Sequence, residues 1–374
     1  MSSAGVILRA DSGLTIGIGH VMRCLTLADA LRVAGMETVF VSRAHAGHVI
    51  PTIRARGYQV VILPGNTGQA YGDHPKPPPH ASWLGAGWRA DAAATRNVLQ
   101  QTGASWLVMD HYALDAQWQA EALPPKVSLL VLDDLADRPH QADVLLDQNA
   151  GRTAADYVDL LPTNCDLRIG PAHALLRPEF VRLRPTALPR REALSRPETL
   201  LVTLGGIDKD NATGAALDAL ALAPAARGLK VTVVMGDSAP YLRAVRAQAA
   251  NMPIPTEVVA GVSDMAQRMM MADLCIGAVG STAWERCALG LPTLQVVLAS
   301  NQLGAAQAMA DQGLSLGLPF PNEPDFAAKL AAGLEQLSEA GLYRAVARAA
   351  AALTDGSGAA RLVRTLLQRL THAN

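Results

Sequence analysis

An excess of charge of either sign is missing from this sequence: 32 Lys and Arg stand against 33 Asp and Glu, a formal −1 at pH 7. With a pI near 6.8, no overall field draws the chain to nucleic acid or to an anionic membrane, and neither is read as a partner. Cysteine is sparse as well. Cys24, Cys165, Cys275 and Cys287 lie far apart, form no C-x-x-C pair and sit among apolar neighbours. That pattern is packing rather than a disulfide framework or a zinc site, and it suits a reducing cytoplasm. No apolar run approaches the roughly 20 residues that a membrane span needs. The opening run through Val6, Ile7 and Leu8 meets Arg9 and Asp11 too soon for a signal peptide and reads as a first buried strand. Aromatics make up 4% of residues and charges 17%, whereas half are hydrophobic, with 31 Gly and 23 Pro. This is the profile of an Ala-, Leu- and Val-rich α/β protein with many short loops, long enough at 374 residues for two domains.

Short apolar runs alternate with helical patterns almost from the start. Residues 6–9, 38–41, 60–63, 106–109, 129–132 and 144–146 read as strands, and 21–33 reads as a helix with Val21, Leu25, Ala28 and Leu31 on one face. Such alternation argues for a parallel sheet covered on both faces. It breaks at 177–196, where Pro178, Pro185 and Pro189 sit among Arg177, Arg182, Arg184, Arg190, Arg191 and Arg196. That stretch reads as an interdomain linker or, less readily, as a grip for phosphate. Alternation then restarts, with strands at 200–204, 231–235, 257–259, 274–277 and 294–298. The division predicted is an N-terminal α/β domain over 1–180, a linker over 181–198 and a C-terminal α/β domain over 199–374. Two Rossmann-like domains would face across a cleft, with ligands at the carboxyl ends of the strands. The segment 64–80, with Pro77-Pro78-Pro79, is either a flap near that cleft or an inert insertion.

The first strand runs into Asp11, and a turn with Gly17, Gly19 and His20 follows. As a dinucleotide fingerprint this fails, because Met22 stands at the third glycine position. What remains is a tight turn feeding a helix N-terminus, where free N–H groups attract an anion. The positive end of that helix disfavours imidazolium, which suits His20 to act as a general base. The alternative is that His20 merely caps the helix or fills an interface; the neighbouring glycines and polar strand end tip the balance towards chemistry. A second anion pocket is read at Gly280-Ser281-Thr282, after a strand, with Glu285 one turn into the helix to accept from a ribose diol. Thr282-Ala283-Trp284-Glu285 is equally a capping box that needs no ligand. Gly205-Gly206, before Asp208, permits close backbone approach to a ligand or makes a plain strand-to-helix turn. Asp133-Asp134 resembles a metal pair, but neighbouring strand residues point to opposite faces, and no cluster has metal-ligand spacing. Neither a metal nor a cofactor is expected.

Taken in order, Arg9-Ala10-Asp11-Ser12, Gly17-x-Gly19-His20-x-x-Arg23, Asp110-His111-Tyr112, Asp133-Asp134, Leu145 to Ala150, Gly170-Pro171, Arg177-x-Glu179-Phe180, Gly205-Gly206-x-Asp208 and Asn301-Gln302 resemble one family. It is that of the UDP-2,4-diacetamido-2,4,6-trideoxy-β-L-altropyranose hydrolases of pseudaminic acid biosynthesis. The resemblance implies a glycosyltransferase-B-like fold of the MurG type. It also implies release of UDP from a UDP-linked 6-deoxy diacetamido sugar by water, with inversion and without metal. By matching, His20 is the catalytic base and Glu285 handles the nucleotide, while Tyr112, Asn149, Arg168 and Asn301 line the sugar or diphosphate. The match departs at Trp284 and Ile207, and no motif carries over from 307 to 374, where helices over 326–370 are read as packing back on the first domain. Two rivals stand beside this reading: a UDP-sugar glycosyltransferase of the same fold, and a nucleotide-sugar binding protein without catalysis.

Overall fold

The computed structural model describes residues 5–65 and 72–372, in two compact units. Met1–Leu175 with Gly358–Asn374 form the first, and Leu176–Ser357 the second. In the first unit, β1 (Gly5–Ala10), β2 (Glu37–Arg43), β3 (Gln59–Leu63), β4 (Trp106–Asp110), β5 (Ser128–Leu132), β6 (Val144–Asp147) and β7 (Asp166–Ile169) make one parallel sheet. Its strand order is β3-β2-β1-β4-β5-β6-β7. The strands are near-continuous apolar runs because both faces are covered. Val6, Leu8 and Ala10 pack with the helix Gly19–Val33 on one side, and Ile7, Leu107 and Met109 pack under the helices Trp88–Thr102 and Ala116–Ala122 on the other.

The second unit repeats the plan. Strands β8 (Thr199–Thr203), β9 (Lys230–Met235), β10 (Thr256–Ala260), β11 (Leu274–Ala278), β12 (Thr293–Val296) and β13 (Leu316–Leu318) form a parallel sheet of order β10-β9-β8-β11-β12-β13. Each sheet therefore reverses its winding once, between β1 and β4 in the first unit and between β8 and β11 in the second. The loops that leave these strand pairs diverge to opposite faces, and the crevice left there is where open α/β sheets hold ligands.

Three sequence expectations need correction. The stretch read as a linker is the helix Pro178–Ala193, with Pro185 and Pro189 inside it. It survives because its arginines find carbonyl partners elsewhere in the second unit. Arg184 donates to Ala288 O, Ala351 O and Thr354 O, and Arg191 to Met269 O, Met270 O and Ala272 O. These are the orphaned last carbonyls of three other helices, so the guanidinium groups serve as C-caps. Next, the helices Phe326–Leu337 and Ala340–Leu353 belong to the second unit, while only Gly358–His372 belongs to the first. Lastly, β7 and β13 form where no strand is expected from the sequence. Of the segment 64–80, residues 66–71 lie outside the described residues.

Candidate active site

Gly17 sits at φ +79°, a conformation that favours glycine, and closes a small loop with Gly13 through paired backbone bonds of 3.2 and 2.8 Å. That turn delivers the helix Gly19–Val33, N-capped by Ile18, with His20 and Arg23 one turn apart on the same face. On the neighbouring strand, Asp110 pairs in register with Ala10 and ends β4 beneath them. Both helical side chains reach for it. His20 Nδ1 lies 2.6 Å from Asp110 Oδ1, and Arg23 donates through Nε and Nη2 at 2.6 and 2.7 Å. His20 is 7% exposed and Asp110 wholly buried.

Burial alone would raise the Asp110 carboxyl, but the Arg23 guanidinium and the His20 ring prevail and hold it well below the usual carboxylate range. An ionised Asp110 can only accept. The proton on the His20 ring is therefore fixed at Nδ1, and Nε2 is left with its lone pair. A carboxylate in this position also stabilises the imidazolium that forms when Nε2 takes a proton. From sequence, the helix dipole alone is expected to set the protonation state; the geometry adds a carboxylate partner, Asp110, which the Asp110-His111-Tyr112 motif contains without a role. The signal was available as a polar residue at the carboxyl end of a buried apolar run, next to the first strand.

A second carboxylate gathers the expected sugar residues. Asp134 accepts from Arg23, from the Tyr112 hydroxyl at 2.6 Å and from Asn149 Nδ2 at 2.9 Å. The Tyr112 ring meets His20 edge-on at 4.5 Å. Asp133 turns away to Arg138 and Tyr157, so the adjacent carboxylates serve different partners. Arg168 is not in this group: it lies on β7 and bonds Asp166 at 2.8 Å. Asp11, expected to touch substrate, is wholly buried. Its oxygens accept from Arg9 at 2.6 and 3.0 Å and from the Arg43 amide at 2.7 Å, so it braces the loop from beneath.

In the second unit, β8 leads into Gly205, at φ +103°, and Gly206. The Asp208 carboxylate accepts from the Ala212 and Thr213 amides at 2.8 and 2.9 Å and caps the next helix, so the turn is built without help from a ligand. β11 leads into Gly280, the N-cap of the helix Ser281–Ala288, which has no side-chain cap. The capping box weighed for Thr282 to Glu285 is thus not formed. Added Cβ atoms at Gly205, Gly206 or Gly280 would meet open space. Glu285 projects one turn in and receives Arg177 Nη2 at 3.3 Å; burial raises its carboxyl and Arg177 opposes the rise. Asn301 falls in the short turn Ser300–Gln302.

No protein-family model matches the chain. It is 26% identical over 207 residues, 55% of its length, to the UDP-2,4-diacetamido-2,4,6-trideoxy-beta-L-altropyranose hydrolase of Campylobacter jejuni, and spans 62% of that relative. It is 30% identical over 149 residues, 40% of its length, to the spore coat polysaccharide biosynthesis protein SpsG of Bacillus subtilis, and spans 42% of it. The chain thus covers less than two thirds of the length of these curated relatives. Among solved structures, MurG of Acinetobacter baumannii aligns over 98% of this chain and 99% of its own with a TM-score of 0.68 at 15% identity. The calicheamicin glycosyltransferase CalG4 aligns over 99% of each with a TM-score of 0.60 at 15% identity. The fold is that of the MurG-like, glycosyltransferase-B class. Within that class, the sequence resembles the diacetamido-sugar hydrolase of C. jejuni.

Proposed function

We propose that the chain is an enzyme that hydrolyses UDP-2,4-diacetamido-2,4,6-trideoxy-β-L-altropyranose to UDP and 2,4-diacetamido-2,4,6-trideoxy-L-altropyranose, in cytoplasmic pseudaminic acid biosynthesis. The observation that carries the chemistry is the His20–Asp110 pair at 2.6 Å, which leaves Nε2 as a proton acceptor. The choice of sugar is supported by the resemblance to the C. jejuni hydrolase. Water loses a proton to His20 Nε2 as its oxygen bonds to the anomeric carbon, and the bond from that carbon to the diphosphate oxygen breaks on the opposite face, with inversion. Asp110 stabilises the imidazolium until the proton passes to solvent. UDP is a good leaving group, so no carboxylic acid need protonate it, unlike an ordinary glycoside. The helix N-terminus at Gly280, Ser281 and Thr282 offsets its growing charge, with Gly205 and Gly206 leaving room for the nucleotide and Glu285 taking the ribose hydroxyls. Tyr112 and Asn149 border the sugar beside His20, while Gly17 and Gly19 keep its approach open.

Incubation with the UDP-linked diacetamido sugar and no acceptor tests the reading. UDP and free sugar of inverted configuration are expected, and His20→Ala should bind the substrate while losing about 10²–10⁴ of the rate. Turnover only after an acceptor sugar or lipid is added would make the chain a transferase. Binding without any turnover would make it a carrier. Near-normal turnover by His20→Ala would remove the base from the mechanism.

A further inference from the structure

The chain has few aromatic residues, yet three rings from two separate segments meet beside His20. From the imidazole, one ring contact leads to Tyr112, at 4.5 Å. Tyr112 in turn stacks on Trp83 at 5.7 Å with an interplanar angle of 27°, and meets His80 at 5.5 Å. His80 and Trp83 touch each other at 4.5 Å. His80 ends the segment 64–80, whose role the sequence left open, and Trp83 lies in the turn that follows it.

That segment is pinned from behind. The short turn Ala81–Leu84 is held by Trp83 N to His80 O at 2.9 Å and Ala81 N to Pro78 O at 3.0 Å, and ends at Gly85 with φ +66°. Leu84 is wholly buried in the core. Upstream, His74 Nε2 lies 3.1 Å from Asp115 Oδ2, and Trp88 donates to Asp73 at 2.8 Å. The Tyr112 hydroxyl is tied to Asp134, which fixes its ring. The rings are therefore already ordered, and little freedom is lost when a ligand lies on them. Simple core packing would hide the largest side chain first. Instead Trp88, Trp106, Trp118 and Trp284 are 0–2% exposed, and Trp83 alone of the five tryptophans stays partly open.

We propose that Trp83, His80 and Tyr112 form the wall of a sugar subsite, and that this wall selects pyranoses bearing methyl and acetamido groups over fully hydroxylated ones. The inference rests on the reading of the chain as a nucleotide-sugar enzyme and adds the residues that choose the sugar. Ring faces bury C–H and methyl surface well and offer hydroxyl groups no strong partner, so they favour a deoxy, acetylated sugar.

Because the other tryptophans are buried, acrylamide quenching reports on Trp83. On the full chain, the UDP-linked diacetamido sugar should protect this fluorescence, UDP alone should not, and Trp83→Phe should remove the quenchable component. Trp83→Ala should weaken the diacetamido substrate about tenfold, lower its preference over UDP-glucose by a similar factor, and leave UDP affinity unchanged; Trp83→Phe should restore most of the loss. If calorimetry shows the substrate bound while Trp83 stays as quenchable as before, or if Trp83→Ala does not alter the preference, the wall is wrong and the enzyme reading stands. If no UDP-linked sugar binds at all, both fall.

Discussion

At the scale of single residues, two carboxyl groups of the first unit differ in protonation for reasons visible in their partners. Asp110 is gripped by Arg23 and stays ionised. Asn in its place would present an amide N–H to His20 Nδ1, drive the ring proton to Nε2 and abolish the acceptor. Asp110→Asn is expected to lower kcat by about 10²–10⁴ while UDP binding persists, the pattern of a wrong tautomer rather than a lost site. Steady-state kinetics beside UDP calorimetry would show it, and a fall in KM alone would contradict it. Asp147 is the opposite case. Burial pushes its carboxyl up to about 6, the amide of Asn149 opposes this, and the nearby Asp134 charge adds to it. Tyr157 lies 2.9 Å from Asp147 and 3.0 Å from Asp133, yet its hydroxyl has one proton to give. Asp133 is held down to about 2 against burial by Arg138, while at Asp147 burial outweighs the hydrogen bonds from Asn149 and Tyr157.

The sign of the resulting pH dependence follows. Between pH ~4 and ~6 the unfolded Asp147 has lost its proton and the folded one keeps it, so stability falls as pH rises through that window, by about 3 kcal/mol from this group. Asp147→Asn keeps the acceptor that Asn149 uses, at Oδ1, and puts an N–H where the carboxyl proton was. The difference in denaturation midpoint between variant and parent should grow in the variant's favour from pH 4 to pH 7. A difference independent of pH would show that Asp147 does not carry the extra proton.

At the scale of elements, most strands were legible because parallel strands covered on both faces are unbroken apolar runs. β7 was not, since Asp166 and Arg168 interrupt it and all four of its residues are only partly buried; β13, three residues with a central Gly317, is too short to show a period. The helix Pro178–Ala193 was hidden for another reason. Its local composition argues against helix, and what holds it is tertiary: arginines bonded to carbonyls up to 170 residues away in sequence. His20 was legible from its glycine turn, whereas Asp110 and Asp134 stood in recognisable motifs without a catalytic or binding role, because their importance lies in partners brought in by the Gly19–Val33 helix and by neighbouring loops. Arg191 is 1% exposed and caps three carbonyls at the end of the helix Met265–Met271. Arg191→Met preserves bulk but orphans those carbonyls, and should cost about 2–4 kcal/mol, read as a lowered guanidinium midpoint with unchanged helical content. An unchanged midpoint would mean that the burial of this cation offsets its bonds.

At the scale of the whole molecule, the chain builds two similar sheets and then returns its last helix to the first. That return has a physical cause. Leu362, Val363 and Leu366 are 0–5% exposed and join Val21, Leu25 and Ala28 in one apolar cluster over β1 and β4. Without them the helix that carries His20 and Arg23 would expose its back face to water. The contact is close at its start, where a Cβ on residue 358 would run into the Ala174 carbonyl oxygen. Removing residues 358–374 should therefore loosen the His20 helix in place, at a cost on the order of 5 kcal/mol from three uncovered aliphatic side chains. Hydrogen exchange should show faster opening across the helix Gly19–Val33, and turnover should fall with it, since the Asp110 clasp depends on where that helix lies. Gly358→Ala, a smaller perturbation of the same junction, should shift exchange in the same direction to a lesser degree. If the helix Gly19–Val33 keeps its protection in both variants, the last helix is a passenger on the first unit, and the site would owe its geometry to the Gly13–Gly17 turn and the strands alone.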